Sequence, residues 1–179
     1  MPTNKNKIGV FGGSFDPPHK GHLKISNTII KKLNLKRVYW IVTKKNPFKK
    51  KTFFSLNERI AKCLKLTKKN KKIYVKFIED KIKSRKTFKI IKHFNKKGRN
   101  SELYLIIGSD NLISFHKWSN WKKILKNCHL VVYPRKGFDK KARKSRIIRC
   151  MKNENIIFIK GQKVDISSTK LRKYYQKNI

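Results

Sequence analysis

Apolar residues along the chain switch between two spacings, and the switching predicts the order of its elements. Residues 8–11 form a short apolar run closed by Gly12-Gly13, which predicts a buried strand. Over residues 21–33 the spacing becomes helical, with Ile25, Ile29 and Leu33 on one stripe and Ser26 and Ile30 beside it. Residues 37–43 are rich in β-branched and aromatic side chains and predict a second strand. Asn46-Pro47 breaks the loop that follows. Leu56, Ile60, Cys63, Leu64 and Thr67 mark another helical face, residues 73–78 a third strand, and residues 87–97 a helix with Phe88, Ile91 and Phe94 inward. Residues 103–107 are the most continuous apolar run and predict a central parallel strand. Beyond it the pattern predicts a helix over 118–125, a strand over 129–133, a basic helical connection over 139–152, a last strand over 156–159 and a helix over 167–176. This βαβα order implies a parallel sheet with helices on both faces. No repeat or linker divides it, so residues 1–179 are expected to form a single α/β domain.

Charge changes the picture less than its size suggests. The chain holds 40 Lys and 9 Arg against 5 Asp and 4 Glu, a formal charge of +40. Lys outnumbers Arg and is spread over nearly every segment, which describes a solvated surface and argues against a nucleic-acid partner. The excess would still concentrate phosphate-bearing substrates. No apolar stretch approaches the ~18 residues of a bilayer span, and the polar N-terminus carries no secretory pattern. Cys63, Cys128 and Cys150 form no CxxC pair, and are expected to be buried thiols in a reducing compartment, the cytoplasm. The acids are the rarer signal. None lies between Pro17 and Asn57, and Asp16, Asp110 and Asp165 each sit beside Gly or Ser/Thr clusters.

Chemistry concentrates in residues 12–22, GGSFDPPHKGH, between the first strand and the first helix. Open α/β sheets place ligands at such a turn. The string is neither Gly-x-Gly-x-x-Gly nor a Walker A loop. Gly12 and Gly13 allow close backbone approach and offer N–H groups to phosphate oxygens. Asp16-Pro17-Pro18 predicts a rigid turn in which Asp16 bonds its own loop. His19 and His22, three apart at a helix start, can face the same side, where a helix end favours anions. A cap plus a surface histidine is the plainer alternative. A metal pair is a third, although no further ligand is spaced for zinc. Two histidines inside a Gly- and Pro-rich loop favour phosphate contact. Residues 165–172, DISSTKLR, read as a helix start whose hydroxyls and free N–H groups suit an anion, with Arg172 one turn further on. Taken alone, that segment reads equally well as a cap.

The first string resembles the signature of the HxGH nucleotidyltransferase superfamily, with His19-Lys20-Gly21-His22 at the HxGH positions. The resemblance implies a Rossmann-like, doubly wound parallel sheet of nucleotidyltransferase type. It implies that His19, His22 and Arg172 are catalytic. With them, Gly12, Gly13, Ser14, Phe15, Gly21, Gly108, Asp110, Arg135, Ser167, Ser168 and Thr169 would hold ATP. Residues 106–112 (IIGSDNL), 115–121 (FHKWSNW), 46–49 (NPFK) and 133–135 (YPR) narrow the likeness to nicotinate-nucleotide adenylyltransferases, as does the DISST segment. Nicotinate mononucleotide would then be the acceptor, and deamido-NAD and pyrophosphate the products. Lys49, Lys86, Thr87, Trp118 and Ser119 would bind that acceptor, with Trp118 stacked on the nicotinate ring. Core packing of Trp118 and capping by Asp110 are the structural alternatives.

With no carboxylate cluster to hold a metal alone, Mg²⁺ is expected to arrive with ATP. One stretch departs from the family. Its Tyr-Thr-x-x-Thr segment is Lys86-Thr87-Phe88-Lys89-Ile90 here. Either the amide form of the acceptor is tolerated or, the favoured expectation, Lys86 pairs with the nicotinate carboxylate. A phosphopantetheine adenylyltransferase would share the first loop but not the Trp118 segment. A non-catalytic nucleic-acid-binding protein would leave both phosphate segments unexplained.

Overall fold

A computed structural model describes residues 5–44, 52–98, 100–150, 155–161 and 168–177. Six parallel strands form one sheet: β1 (Asn6–Gly13), β2 (Arg37–Val42), β3 (Ile73–Lys76), β4 (Ser101–Gly108), β5 (His129–Tyr133) and β6 (Ile156–Phe158). Their order is β3-β2-β1-β4-β5-β6. The winding reverses between β1 and β4, so the carboxyl ends of these two strands open a crevice. Phe11 pairs with Ile106 there, and Gly13 pairs with Val42 on the other side. The sheet agrees with the doubly wound α/β expectation.

Strand alternation divides the core. Val10, Leu103, Leu105 and Ile107 enter one cluster, while Phe11, Tyr104 and Ile106 enter the other. Helices α1 (Lys20–Leu33) and α2 (Leu56–Thr67) cover the second face with Ile29, Ile30 and Cys63. The first face takes Ile90 and Ile91 of α3 (Thr87–Lys97) and Leu112 of α4 (Ser109–Ser114). It also takes residues of α5 (Trp121–Asn127), α6 (Asp139–Arg143) and α7 (Arg146–Cys150). Helix α1 stops at Asn34, which adopts the left-handed conformation with φ 49°. Helix α2 starts on a capping box, Ser55 with Glu58. Helix α8 (Ser168–Lys177) completes the described chain.

Three expectations shift. The helix predicted from Trp118 starts at Trp121, because residues 115–117 form a 3₁₀ turn and Asn120 takes a left-handed φ of 58°. Ser119 and Asn120 are turn formers, and they keep Trp118 in extended backbone. The predicted connection over 139–152 is two short helices broken at Lys144 and Ser145, with the Ser145 carbonyl accepting from Arg149 N–H. Cys63 and Cys128 are buried, but Cys150 is exposed. Among the described residues no helix is long and apolar enough to cross a membrane.

Gly9 marks the tightest packing in β1. A Cβ there would lie 2.8 Å from Val38 Cγ2, 3.0 Å from Leu35 Cδ1 and 3.1 Å from Ile106 Cδ1, all on buried side chains. Gly9→Ala should therefore destabilise the fold by about 1–3 kcal/mol through overpacking, read as a lower urea midpoint at unchanged slope.

Candidate active site

The carboxyl ends of β1, β2, β4 and β5 surround a cavity of about 800 Å³. Gly12, Gly13, Ser14 and Phe15 line it from the first loop, and His19 and His22 from the start of α1. Phe15 holds φ at 45°, a region costly for a side-chain-bearing residue. Its buried ring stacks on Trp40 with centroids 4.8 Å apart and packs against the His22 ring at 4.9 Å. Trp40 is fixed in turn by donating Nε1–H to Ser26 Oγ at 2.8 Å.

The two imidazoles lie 3.8 Å apart, centroid to centroid. The backbone N–H of His19 donates to His22 Nδ1 at 3.1 Å, which places the proton of the neutral ring on Nε2. Burial, and then the charge of Arg135, lowers the His19 pKa to about 4. Burial also holds His22 well below the usual histidine value, reinforced by His19 and Arg135. Both rings are therefore neutral near pH 7 in the ligand-free protein. His19 Nδ1 is buried with no hydrogen-bond partner.

Helix α8 meets this loop across some 150 residues of sequence. Ser168 Oγ donates to the Pro17 carbonyl at 2.9 Å. Arg172 Nη1 donates to the Asp16 carbonyl at 2.6 Å and lies 3.8 Å from Asp16 Oδ2, while Nη2 donates to Thr169 Oγ1 at 3.0 Å. Ser168 and Thr169 line the cavity, whereas the Arg172 guanidinium is engaged by Asp16 behind them. Asp16 does not bond its own loop as expected. Its buried carboxylate accepts from Phe53 N–H and Phe54 N–H, each at 2.9 Å, because that segment crosses directly beneath it.

On the β4 side, Gly108 and Asp110 line the same cavity with Arg135. Asp110 Oδ2 pairs with Arg135 Nη1 at 2.7 Å, and Ser109 Oγ accepts from Arg135 N–H at 3.0 Å. A Cβ at position 108 would meet the Asp110 carboxylate, so a larger residue there would displace that side chain. Lys86 and Thr87, at the N-terminus of α3, form another wall with Trp118 and Ser119. Lys86 is exposed at its post. Trp118 packs on Phe115 at 4.9 Å, and its Nε1 is buried without a partner. Gly21 is buried within α1 and is not among the lining residues. Lys49 and Ser167, with Asn46-Pro47-Phe48 and Asp165-Ile166, lie outside the described residues.

Two buried charges went unread in the sequence. Arg59 is 1% exposed and donates to four carbonyls. Its signal was present: it sits on the apolar stripe of α2, between Leu56 and Cys63, where a solvated arginine does not belong. Glu79 lines the cavity at 3% exposure. Its Oε2 accepts from Lys44 N–H at 3.1 Å, Oε1 has no partner, and burial raises its pKa. In a chain with 4 Glu, each glutamate warranted a reason.

Known proteins match this architecture over most of its length. A family model described as cytidylyltransferase-like matches residues 10–174. A relative from Pelagibacter ubique, named "Probable nicotinate-nucleotide adenylyltransferase", is 47% identical over 94% of this chain and 93% of its own. One of the same name from Aquifex aeolicus is 37% identical over 89% of this chain and 98% of its own. The solved structure of Plasmodium falciparum nicotinic acid mononucleotide adenylyltransferase complexed with NaAD is 20% identical, with a TM-score of 0.74 over 94% of this chain and 83% of that one. That last likeness is one of fold, and the sequence relatives carry the rest: the chain belongs to the nicotinate-nucleotide adenylyltransferase family, within the cytidylyltransferase-like group.

Proposed function

We propose that the chain transfers the adenylyl group of ATP to the 5′-phosphate of nicotinate mononucleotide, giving deamido-NAD and pyrophosphate for NAD biosynthesis. The observation that carries the reading is one cavity walled by both segments. The HxGH loop and Ser168-Thr169 form one end, and Lys86, Thr87, Trp118 and Ser119 another. The acceptor phosphate attacks the α-phosphorus in line, and the protein positions the substrates and neutralises charge. His22 offers Nε2–H, and His19 lies beside it to meet the α-phosphate as charge develops. Gly12, Gly13, Ser14 and Phe15 give the approach to the phosphates. Ser168 and Thr169 meet the departing pyrophosphate. Arg172 keeps N–H groups beyond those used on Asp16 and Thr169 and assists them. Asp110 and Arg135 face the adenosine end.

At the acceptor end Trp118 supplies a flat face for the pyridine. Lys86 and the free N–H groups of the α3 N-terminus attract its carboxylate. Lys49 is assigned to the acceptor phosphate. ATP enters as its magnesium complex. Among the described residues no three His, Cys, Asp or Glu side chains group to hold a cation. Asp16 and Asp110, the aspartates at the site, are engaged with Arg172 and Arg135. A cytoplasmic setting accords with the buried free thiols of Cys63 and Cys128, whose pKa values burial raises to about 12.

Pyrophosphate release measured with ATP and each of nicotinate mononucleotide, nicotinamide mononucleotide and phosphopantetheine tests the reading. The first is expected to be turned over best, and preference for phosphopantetheine would overturn the assignment. His22→Ala should lower kcat by ~10²-fold while thermal unfolding stays cooperative. Lys86→Ala should raise KM for nicotinate mononucleotide far more than KM for ATP in steady-state kinetics. Between pH 6.5 and about 4 the unfolded chain binds a proton at residue 19 that the folded protein refuses. Stability present above pH 6.5 should therefore be lost as pH falls through that window, and His19→Gln should flatten the fall in urea midpoint.

A further inference from the structure

Among the residues whose side chains are described, Arg59 is the one buried Lys or Arg, in a chain with 49 such residues. Its Nη1 donates to the Ser14 carbonyl and to the Thr43 carbonyl, both at 2.7 Å. Its Nη2 donates to the Lys44 carbonyl at 3.0 Å, and Nε to the Phe54 carbonyl at 3.1 Å. Ser14 belongs to the loop after β1, and Thr43 lines the cavity at the end of the neighbouring strand β2, where its N–H donates to the Gly13 carbonyl at 3.0 Å. Glu79 holds the Lys44 N–H from the other side, and Asp16 holds the N–H groups of Phe53 and Phe54. Arg59 does not line the cavity; it ties the first loop to the end of β2 and to the segment before α2 from behind.

We infer that Arg59 is a positioning residue, the strut that fixes the loop after β1 against the end of β2 and the segment before α2, and so sets where the triphosphate end of the cavity stands. This rests on the reaction proposed above. In-line transfer requires the acceptor oxygen within about 3–3.5 Å of the α-phosphorus, and a shift of about 1 Å costs ~10²-fold. The Ser14 carbonyl that Arg59 grips is followed by Phe15, held at positive φ and packed on His22. The same grip therefore also orients the reacting imidazole. Lysine keeps the charge but cannot reproduce a planar fork that reaches four carbonyls.

The test compares Arg59→Lys with the wild type and with Leu103→Ala, a core variant at the opposite end of β4. Arg59→Lys is expected to fold cooperatively, to lower kcat by about 10–100-fold, and to leave both KM values within about threefold. Its His22 ring resonances, read by NMR without substrate, should be displaced from wild type. Leu103→Ala should keep kcat within about twofold once both variants are assayed below their melting transitions. Arg59→Lys with wild-type kcat and unmoved His22 resonances overturns the strut, as does an equal loss of kcat in Leu103→Ala. If the wild type releases no pyrophosphate with nicotinate mononucleotide, the acceptor assignment falls, and the His22 resonances alone decide on Arg59: displaced supports it, unmoved overturns it.

Discussion

Asp16 is the point through which distant parts of the chain are joined. Its carboxylate is buried and accepts from two consecutive backbone N–H groups, those of Phe53 and Phe54. The carbonyl of the same residue takes the Arg172 guanidinium from α8. A buried carboxylate is tolerated only when its oxygens are paired, so the loop, the segment before α2 and the last helix are constrained to meet. The cavity exists because they do. Without that junction Ser168 and Thr169 would have no fixed relation to His19 and His22.

Around this junction the protein uses opposite charges sparingly. Asp110 pairs with Arg135 at the β4 end, and Asp16 and Glu79 flank Arg59 below the floor. Elsewhere the surface is overwhelmingly cationic. The inner pairs hold the walls in place. The two imidazoles stay neutral despite their neighbours because burial and Arg135 oppose protonation. In His22 the backbone N–H of His19 sets the proton on Nε2.

Much of the fold was legible along the chain. Strand and helix spacings differ, and the switch from one to the other recurs at nearly every element. The first loop stood out for a different reason, since Gly-Gly, Asp-Pro-Pro and paired histidines have few uses in combination at a βα turn. Trp118 was misplaced into a helix because hydrophobic spacing does not register the left-handed backbone of Asn120. Cys150 was expected inside because composition carries no depth, and the short α7 leaves its last residue exposed.

The sequence by itself determined the parallel α/β plan and marked residues 12–22 and 165–172 as candidates for one site, because each rests on local spacing and residue type. Tertiary structure alone decided that Asp16 answers Phe53, Phe54 and Arg172, that Arg59 turns inward and that Glu79 reaches the cavity. These are contacts between segments separated by up to 156 positions. Local preferences cannot specify them: they form only where burial removes water and leaves each charge no other partner.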